Sequence, residues 1–175
     1  MPMNLATGRR PALAAAAYVG LFCLIAAIAV LWSVLRGSSW SEQAVVSLSI
    51  GLRLFSIGIA LASVHRWGDR LPGWLVLAGL WGAAAVQLLY PLAETVVKTL
   101  ILTGVMEPMN KGISNMSADG WFNFGAMWVI WGVPGVLFLL AALAYRVRRP
   151  APWAWVLLGV VGGAALLFGL GLLIG

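Results

Sequence analysis

Charged side chains are scarce in this chain. Only 9% of its 175 residues are charged, whereas 62% are hydrophobic and the mean hydropathy is +0.99. Soluble globular proteins average about 25% charged and roughly 45–50% apolar residues. The composition therefore excludes an ordinary soluble domain and predicts an integral membrane protein. Since each crossing takes about 20 apolar residues, the length suits one small bundle.

Cysteine and histidine are almost absent as well. Cys23 and His65 are the only residues of their types, so an intrachain disulfide and a cysteine metal cluster are excluded. The patterns GxGxxG, GxxxxGK[ST], HExxH, CxxC and GxSxG do not occur either, which leaves nucleotide binding, zinc hydrolysis and nucleophile-elbow chemistry without support. We therefore predict no catalytic, cofactor-binding or metal-binding residue and no cofactor.

Five long apolar runs take up most of the chain. They cover about residues 11–35, 44–64, 73–105, 121–145 and 153–175, and the segments between them are rich in glycine, proline, serine and charge. Each run is long enough to cross a bilayer as a helix. We predict an all-α fold, a polytopic transmembrane bundle of five helices that forms a single domain over residues 1–175.

The basic residues near the ends of these runs are distributed unequally between the two sides. Seven lie on one side (Arg9, Arg10, Arg66, Arg70, Arg146, Arg148 and Arg149) and two lie on the other (Arg36 and Lys111). Because cytoplasmic loops are enriched in lysine and arginine, we expect the N-terminus in the cytoplasm and the C-terminus outside. The net charge of +6 then reflects topology and contact with the lipid bilayer, and no nucleic acid is expected as a partner.

Arg53 is the most unusual residue of the second run. It is the tenth residue after the run begins, about 15 Å from either end at 1.5 Å per residue, near the bilayer midplane. An arginine there is unfavourable by roughly 2.5 to 3.5 kcal/mol, so a polar partner is expected. Ser49 and Ser56 lie on the same helical face, four residues before and three after.

The third run also carries polar residues on one face. Gln87, Glu94 and Lys98 fall at offsets of zero, seven and eleven, with Pro91 between them. Glu94 and Lys98 have the favourable i to i+4 order. If the helix spans in 21 residues from Gly73, the pair forms an interfacial rim. If the whole run is helical, Glu94 comes within two turns of the midplane.

These residues form a candidate intramembrane polar cluster: Arg53, Gln87, Glu94, Lys98, Ser49 and Ser56. One hypothesis is that Arg53 and Glu94 line a common cavity that opens outward. The alternative is structural, with Arg53 reaching the interface or bonding to backbone carbonyls freed by Pro91. The following segment, EPMNKGISNMSADG, is interpreted as a lid over such a cavity or as a plain connector.

Glycines four residues apart mark a helix-association face in the last run. They are Gly159 and Gly163, and then Gly171 and Gly175. Small residues let transmembrane helices approach closely. This face suits either a neighbouring helix of the same chain or a second copy of the protein.

Two long stretches resemble small Trp-rich polytopic membrane proteins of unassigned function from high-GC actinobacteria. The stretches are RWGDRLPGWLVLAGLWGAAAVQLLYPLAE and GWFNFGAMWVIWGVPGVLFLLAALAYRVRRP, within roughly residues 66 to 150. The shared features are a basic loop, an LP.W helix entry and an ALAYR.RR helix exit. The resemblance implies a multi-pass protein of the bacterial cytoplasmic membrane and assigns no site residue.

Two functional classes follow from the residues. The first is a non-enzymatic accessory or binding component of the inner membrane, with a membrane-protein partner or as a homo-oligomer. The second is a small oligomeric transporter or channel that uses Arg53 and Glu94. An enzyme acting on lipid comes third, because no acid and base at hydrogen-bonding reach can be identified in the sequence.

Overall fold

The computed structural model describes residues 9–37, 44–109 and 111–174, which fold into helices joined by short turns without a β-strand. The α-helices are α1 (Arg10–Leu35), α2 (Ala44–Ala62), α3 (Gly73–Leu102), α4 (Ala118–Met127), α5 (Val133–Arg148) and α6 (Trp153–Ile174). A π-helical turn, Trp128–Gly132, joins α4 to α5. Short 3-10 turns occupy Arg66–Arg70 and Gly112–Ser114.

The all-α prediction is confirmed for these residues. Three helical segments are long and apolar enough to cross a membrane: Arg10–Leu35, Gly73–Leu102 and Ala118–Arg148. Two shorter apolar helical segments accompany them, Val46–Ala62 and Trp153–Gly169. The described residues thus include helices that could cross a membrane, and each predicted apolar run corresponds to helix.

The predicted end of the third helix at Val105 was three residues too late. Gly104 has a φ of 74°, the left-handed conformation that favours glycine after a helix. The Gly104 N–H donates to the carbonyl of Ile101, and the Val105 N–H donates to that of Leu100. This pair of hydrogen bonds is a Schellman motif, and it ends α3 at Leu102.

The predicted start of the fourth helix at Trp121 was three residues too late as well. Ser117 is the N-cap of α4, and its hydroxyl oxygen accepts a hydrogen bond of 3.3 Å from the Gly120 N–H. Asp119 adds negative charge to the first turn, where the helix dipole favours it. The polar end of the preceding segment is therefore part of the helix.

The central element is α3, which packs against α2, α5 and α6. Its 30 residues measure about 45 Å, and it continues through Pro91 without a break. Buried positions alternate at three and four residues along one seam: Leu77, Leu80, Ala84, Gln87, Pro91, Glu94 and Lys98. This is the spacing of a helix that packs lengthwise against its neighbours. The seam is apolar in its first half and carries polar side chains in its second half.

The π-helical turn leaves one backbone carbonyl without a backbone donor, and a side chain from another helix supplies the hydrogen bond. Within the turn, the Val133 N–H donates to the carbonyl of Trp128, five residues earlier. The same register would pair the Val129 carbonyl with the nitrogen of Pro134, which has no hydrogen to donate. The hydroxyl of Tyr18 on α1 donates to that carbonyl instead, at 2.8 Å. Tyr18 thereby ties α1 to the π turn.

The first two glycines of the predicted association face lie against α3 of the same chain. A Cβ added at Gly159 would lie 2.4 Å from the carbonyl oxygen of Ala78, and one added at Gly163 would lie 2.7 Å from that of Gly82. Of the two alternatives for this face, Gly159 and Gly163 therefore fit packing against a neighbouring helix of the same chain. Gly171 lies within α6. Gly175 lies outside the described residues.

We expect Gly159→Val to destabilise the α3–α6 contact. The added methyl groups meet backbone of α3, and overpacking of this kind costs about 1–3 kcal/mol. Gly169→Val is the matched control. Gly169 lies on the same helix, and a Cβ added there would meet no atom within 4 Å. Thermal unfolding of both variants in detergent measures the effect. Equal losses of stability in the two variants would contradict close packing at Gly159.

Candidate functional site

The Glu94 and Lys98 side chains form a buried ion pair in the C-terminal half of α3. The Lys98 Nζ lies 3.6 Å from the Glu94 Oε1, and the two residues are 2% and 4% exposed. The i to i+4 spacing brings the side chains together on the seam that faces the rest of the bundle. The pair is therefore buried within the helix bundle.

Lys98 is also bound from the segment that follows α3. Its Nζ donates a hydrogen bond to the carbonyl oxygen of Asn115. The same nitrogen lies 4.9 Å from the ring centre of Trp121 and 5.7 Å from that of Phe124, within the range of cation–π attraction. We call these five residues, Glu94, Lys98, Asn115, Trp121 and Phe124, the lysine clamp. It fastens two parts of the chain onto α3. These are the segment between α3 and α4, which we call the connecting segment, and the start of α4.

The lysine clamp bears on the two interpretations of the connecting segment, which were a lid and a plain connector. Asn115 is anchored to Lys98, and neighbouring Ser114 is fully buried and donates to the carbonyl of Lys111. The segment is thus packed down over the end of α3. It covers the ion pair and does more than connect two helices.

Arg53 lies at the middle of α2 and packs against an aromatic ring. Its guanidinium carbon is 4.3 Å from the ring centre of Trp131, in the π-helical turn. Among the described residues, Arg53 makes neither an ion pair nor a side-chain hydrogen bond; the ion pairs found there are Glu94–Lys98 and Asp69–Arg149. The bonds to carbonyls freed by Pro91, which the structural alternative proposed, are therefore not the arrangement in this part of the chain.

A groove of about 590 Å³ runs beside Arg53, between α2 and α6, with α3 as its floor. We call it the Arg53 groove. Its polar lining residues are Ser49, Arg53, Ser56 and Gln87. The other lining residues are apolar or glycine, apart from the indole of Trp131. A largely apolar groove with a few polar groups is typical of small-molecule sites, which usually measure about 300–1,000 Å³.

Gln87 lines the Arg53 groove but is itself buried, with only 4% of its surface exposed. Its side-chain nitrogen donates to the carbonyl of Ala83 at 3.3 Å, and its buried Oε1 accepts no hydrogen bond from the described residues. The buried Nε1 of Trp81 likewise has no acceptor among them. A buried polar atom without a partner costs about 1–3 kcal/mol.

The structure thus divides the predicted polar cluster into two places. Ser49, Arg53, Ser56 and Gln87 line the Arg53 groove, as far as the described residues show. Glu94 and Lys98 are not among its lining residues and belong to the lysine clamp. The hypothesis of one cavity that Arg53 and Glu94 line together therefore gives way to two separate sites.

Sequence reasoning missed the aromatic partners of Arg53 and Lys98, which all lie in the fourth apolar run. Trp131 covers Arg53, and Trp121 and Phe124 cover Lys98. The 3-4 spacing that links Leu77 and Leu80 to Glu94 and Lys98 was a usable signal for burial of the ion pair. The π-helical turn, which sets the direction of Trp131, had no such signal.

The sites offer different chemistry. Among the described residues, no group of three histidine, cysteine, aspartate or glutamate side chains is placed to hold a metal ion. In the lysine clamp each charged group already has partners. In the Arg53 groove, a cation and three other polar side chains lie among mostly apolar walls, which suits an amphipathic molecule.

Comparisons with protein-family models, with curated proteins and with solved structures found no match.

We expect Glu94→Gln and Lys98→Met each to destabilise the protein by about 3–5 kcal/mol, because each leaves one buried charge without its partner. The double variant removes both charges and should recover much of the loss. Thermal or denaturant unfolding in detergent measures all three.

Asp69→Asn is the control for the lysine clamp, since the Asp69–Arg149 pair is exposed and should contribute less than about 1 kcal/mol. If the effects of Glu94→Gln and Lys98→Met simply add in the double variant, the two side chains are not coupled and the clamp is wrongly assigned.

Proposed function

We propose that the protein is a non-enzymatic binding component of the bacterial cytoplasmic membrane, in which the Arg53 groove binds a small amphipathic acid. In this proposal five helices cross the bilayer, with the N-terminus in the cytoplasm and the C-terminus outside. The observation that carries the proposal is a guanidinium at the middle of α2 that has no acidic partner among the described residues and lines a largely apolar groove.

The polar lining favours a carboxylic acid as the ligand's head. Arg53 is the single cation of the groove, so it matches one negative charge better than the two of a phosphate monoester. A carboxylate carries one negative charge, and its two oxygens accept hydrogen bonds from a guanidinium.

The apolar lining favours a single hydrocarbon chain as the ligand's tail. The α3 floor extends from Ala78 to Gln87, a rise of nine residue steps or about 14 Å. Leu48, Phe55 and Leu158 line the groove and are exposed on the surface of the bundle. A chain that enters sideways from the bilayer would therefore exchange lipid contacts for similar protein contacts, while Arg53 supplies selectivity.

A second copy of the chain fits the Arg53 groove less well. The sequence has five acidic residues. Glu94 is held in the lysine clamp, and the other four (Glu42, Asp69, Glu107 and Asp119) lie in or beside the polar segments between apolar runs. None of them is placed to neutralise an arginine at the middle of a helix. Gly159 and Gly163 are already in contact with α3.

The transporter or channel alternative has less support than ligand binding. It requires Arg53 and Glu94 to lie on one substrate or proton path. Arg53 instead lines the groove, and Glu94 is paired with Lys98 beneath the connecting segment. A clamped ion pair with no contact to the groove gives such a path no second charged group.

Photolabelling with a diazirine-bearing stearic acid tests the proposed function. We expect labels on α2, α3 and α6 residues of the Arg53 groove, competition by unlabelled oleic acid, and at least tenfold less labelling in Arg53→Leu. The loss is expected because the variant removes the cation that holds the carboxylate. Peptide mass spectrometry locates and quantifies the labels in the purified protein.

Arg36→Leu is the matched control, because Arg36 is exposed at the end of α1 and stacks on Trp32 away from the groove. The methyl ester of the probe, which lacks the charge, should label weakly. Labelling that is equal in wild type and Arg53→Leu, or equal for acid and ester, would refute an acid site. Crosslinks from the groove to another protein, in native membranes, would favour a helix partner instead.

A further inference from the structure

A second pocket, of about 180 Å³, lies at the end of the bundle that the basic residues assign to the cytoplasm. Four segments form it: the start of α1, the end of α2, the Arg66–Arg70 turn and the end of α5. We call it the arginine pocket. Its charged or titratable lining residues are Arg9, His65, Arg66, Asp69, Tyr145, Arg148 and Arg149.

Positive charge in the arginine pocket exceeds negative charge. Among its lining residues there is one acid, Asp69, and Arg149 already forms an ion pair with it. The guanidinium groups of Arg9, Arg66 and Arg148 have no acidic partner among the described residues. Several like charges around one cavity repel one another, and a bound anion would relieve that repulsion.

The walls of the arginine pocket are held in place by specific contacts. The Arg148 Nε donates to the carbonyl of Ala144 at 3.3 Å, and its Nη2 donates to that of Ser63 at 3.1 Å. A Cβ at Gly68 would overlap the carbonyl of Ala62, so only glycine allows the turn to pack this closely. These contacts join α5, α2 and the turn around the pocket.

His65 is oriented by a hydrogen bond as well. Its Nδ1 lies 3.0 Å from the carbonyl oxygen of Leu61, which can only accept, so Nδ1 carries the hydrogen. The Nε2 is thereby left for other partners. When the imidazole is charged, Nε2 is a further donor for an anion in the pocket.

We infer that the arginine pocket binds a phosphate group. Guanidinium groups match phosphate oxygens with paired hydrogen bonds, and three arginines without acidic partners suit an anion with more than one negative charge. This site is separate from the Arg53 groove and does not depend on the function proposed for it.

The position of the arginine pocket makes a lipid headgroup one source of the phosphate. Trp67, Trp74 and Trp153 are exposed at the same end of the bundle, and tryptophans favour the headgroup layer. Basic pockets between transmembrane helices on the cytoplasmic side bind phospholipid headgroups. A soluble phosphate compound offers the same chemistry, so the experiment includes both sources.

Thermal unfolding of the full-length protein in a neutral detergent tests this inference. The titrants are inorganic phosphate, dihexanoyl phosphatidic acid and dihexanoyl phosphatidylcholine. We expect phosphate or phosphatidic acid to raise the Tm at low salt, with a smaller rise at 0.5 M sodium chloride because salt screens charges at a partly open site. Phosphatidylcholine, whose phosphate carries a compensating choline, should have little effect.

Two double variants with the same net charge identify the site. The double variant Arg9→Gln with Arg66→Gln should need at least tenfold more phosphate or phosphatidic acid to reach half of the full rise in Tm, because both side chains line the pocket. Arg10→Gln with Arg70→Gln should change that amount less than twofold, since neither residue lines the pocket. Arg9 and Arg66 make no side-chain hydrogen bond or ion pair with described residues, so the first variant should fold. Each single substitution provides a second test.

The outcomes separate the sources and the failure of the inference. A Tm rise with inorganic phosphate assigns a soluble phosphate group, and a rise with phosphatidic acid alone assigns a lipid headgroup. No rise with either ligand, an equal rise with phosphatidylcholine, or equal losses in the two double variants would overturn the inference.

Discussion

The hydrocarbon interior of a bilayer offers no hydrogen bonds, so a polar group there must find its partner within the protein or on a bound molecule. In a chain whose helices are long and apolar enough to cross a membrane, this constraint bears on every buried polar group. The Lys98 ammonium has a carboxylate, a carbonyl and two aromatic rings. The Val129 carbonyl, which Pro134 leaves without a backbone donor, receives the Tyr18 hydroxyl.

The same constraint sets the Arg53 groove apart. Arg53 has the face of Trp131 but no hydrogen-bond acceptor among the described residues, and the Oε1 of Gln87 has no donor among them. Both residues line one groove whose other walls are largely apolar. The charge of Lys98 is paired within the chain, whereas Arg53 offers whatever enters the groove a cation without an acidic partner among the described residues. That contrast is the physical basis of the proposed binding role.

Sequence periodicity predicted the helices and their polar faces well. The five apolar runs became helix, and Gln87, Glu94 and Lys98 do lie on one buried face of α3. Helix ends were predicted less accurately. Local hydrogen bonds at Gly104 end α3 inside the third apolar run, and the Ser117 cap begins α4 inside a polar segment that was predicted to precede the helix.

The pairing between helices could not be predicted from the sequence. Periodicity shows which side chains share a face, but the rotation of each helix against its neighbours decides which faces meet. The positions of Arg53 and Glu94 within two apolar runs suggested that they pair, yet Lys98 is only one turn away from Glu94 and forms the ion pair with it. Trp131 reaches Arg53 from a π-helical turn, whose extra residue alters the direction of every side chain around it.

The central claim is that Arg53 holds an acid that the chain itself does not supply. Native mass spectrometry of the protein released from bacterial membranes in mild detergent tests it most directly. The account predicts one bound single-chain acid per wild-type chain and none on Arg53→Leu, while co-purifying phospholipids are retained equally by both. Wild-type chains that carry no such acid, or an Arg53→Leu variant that retains it, would contradict the account.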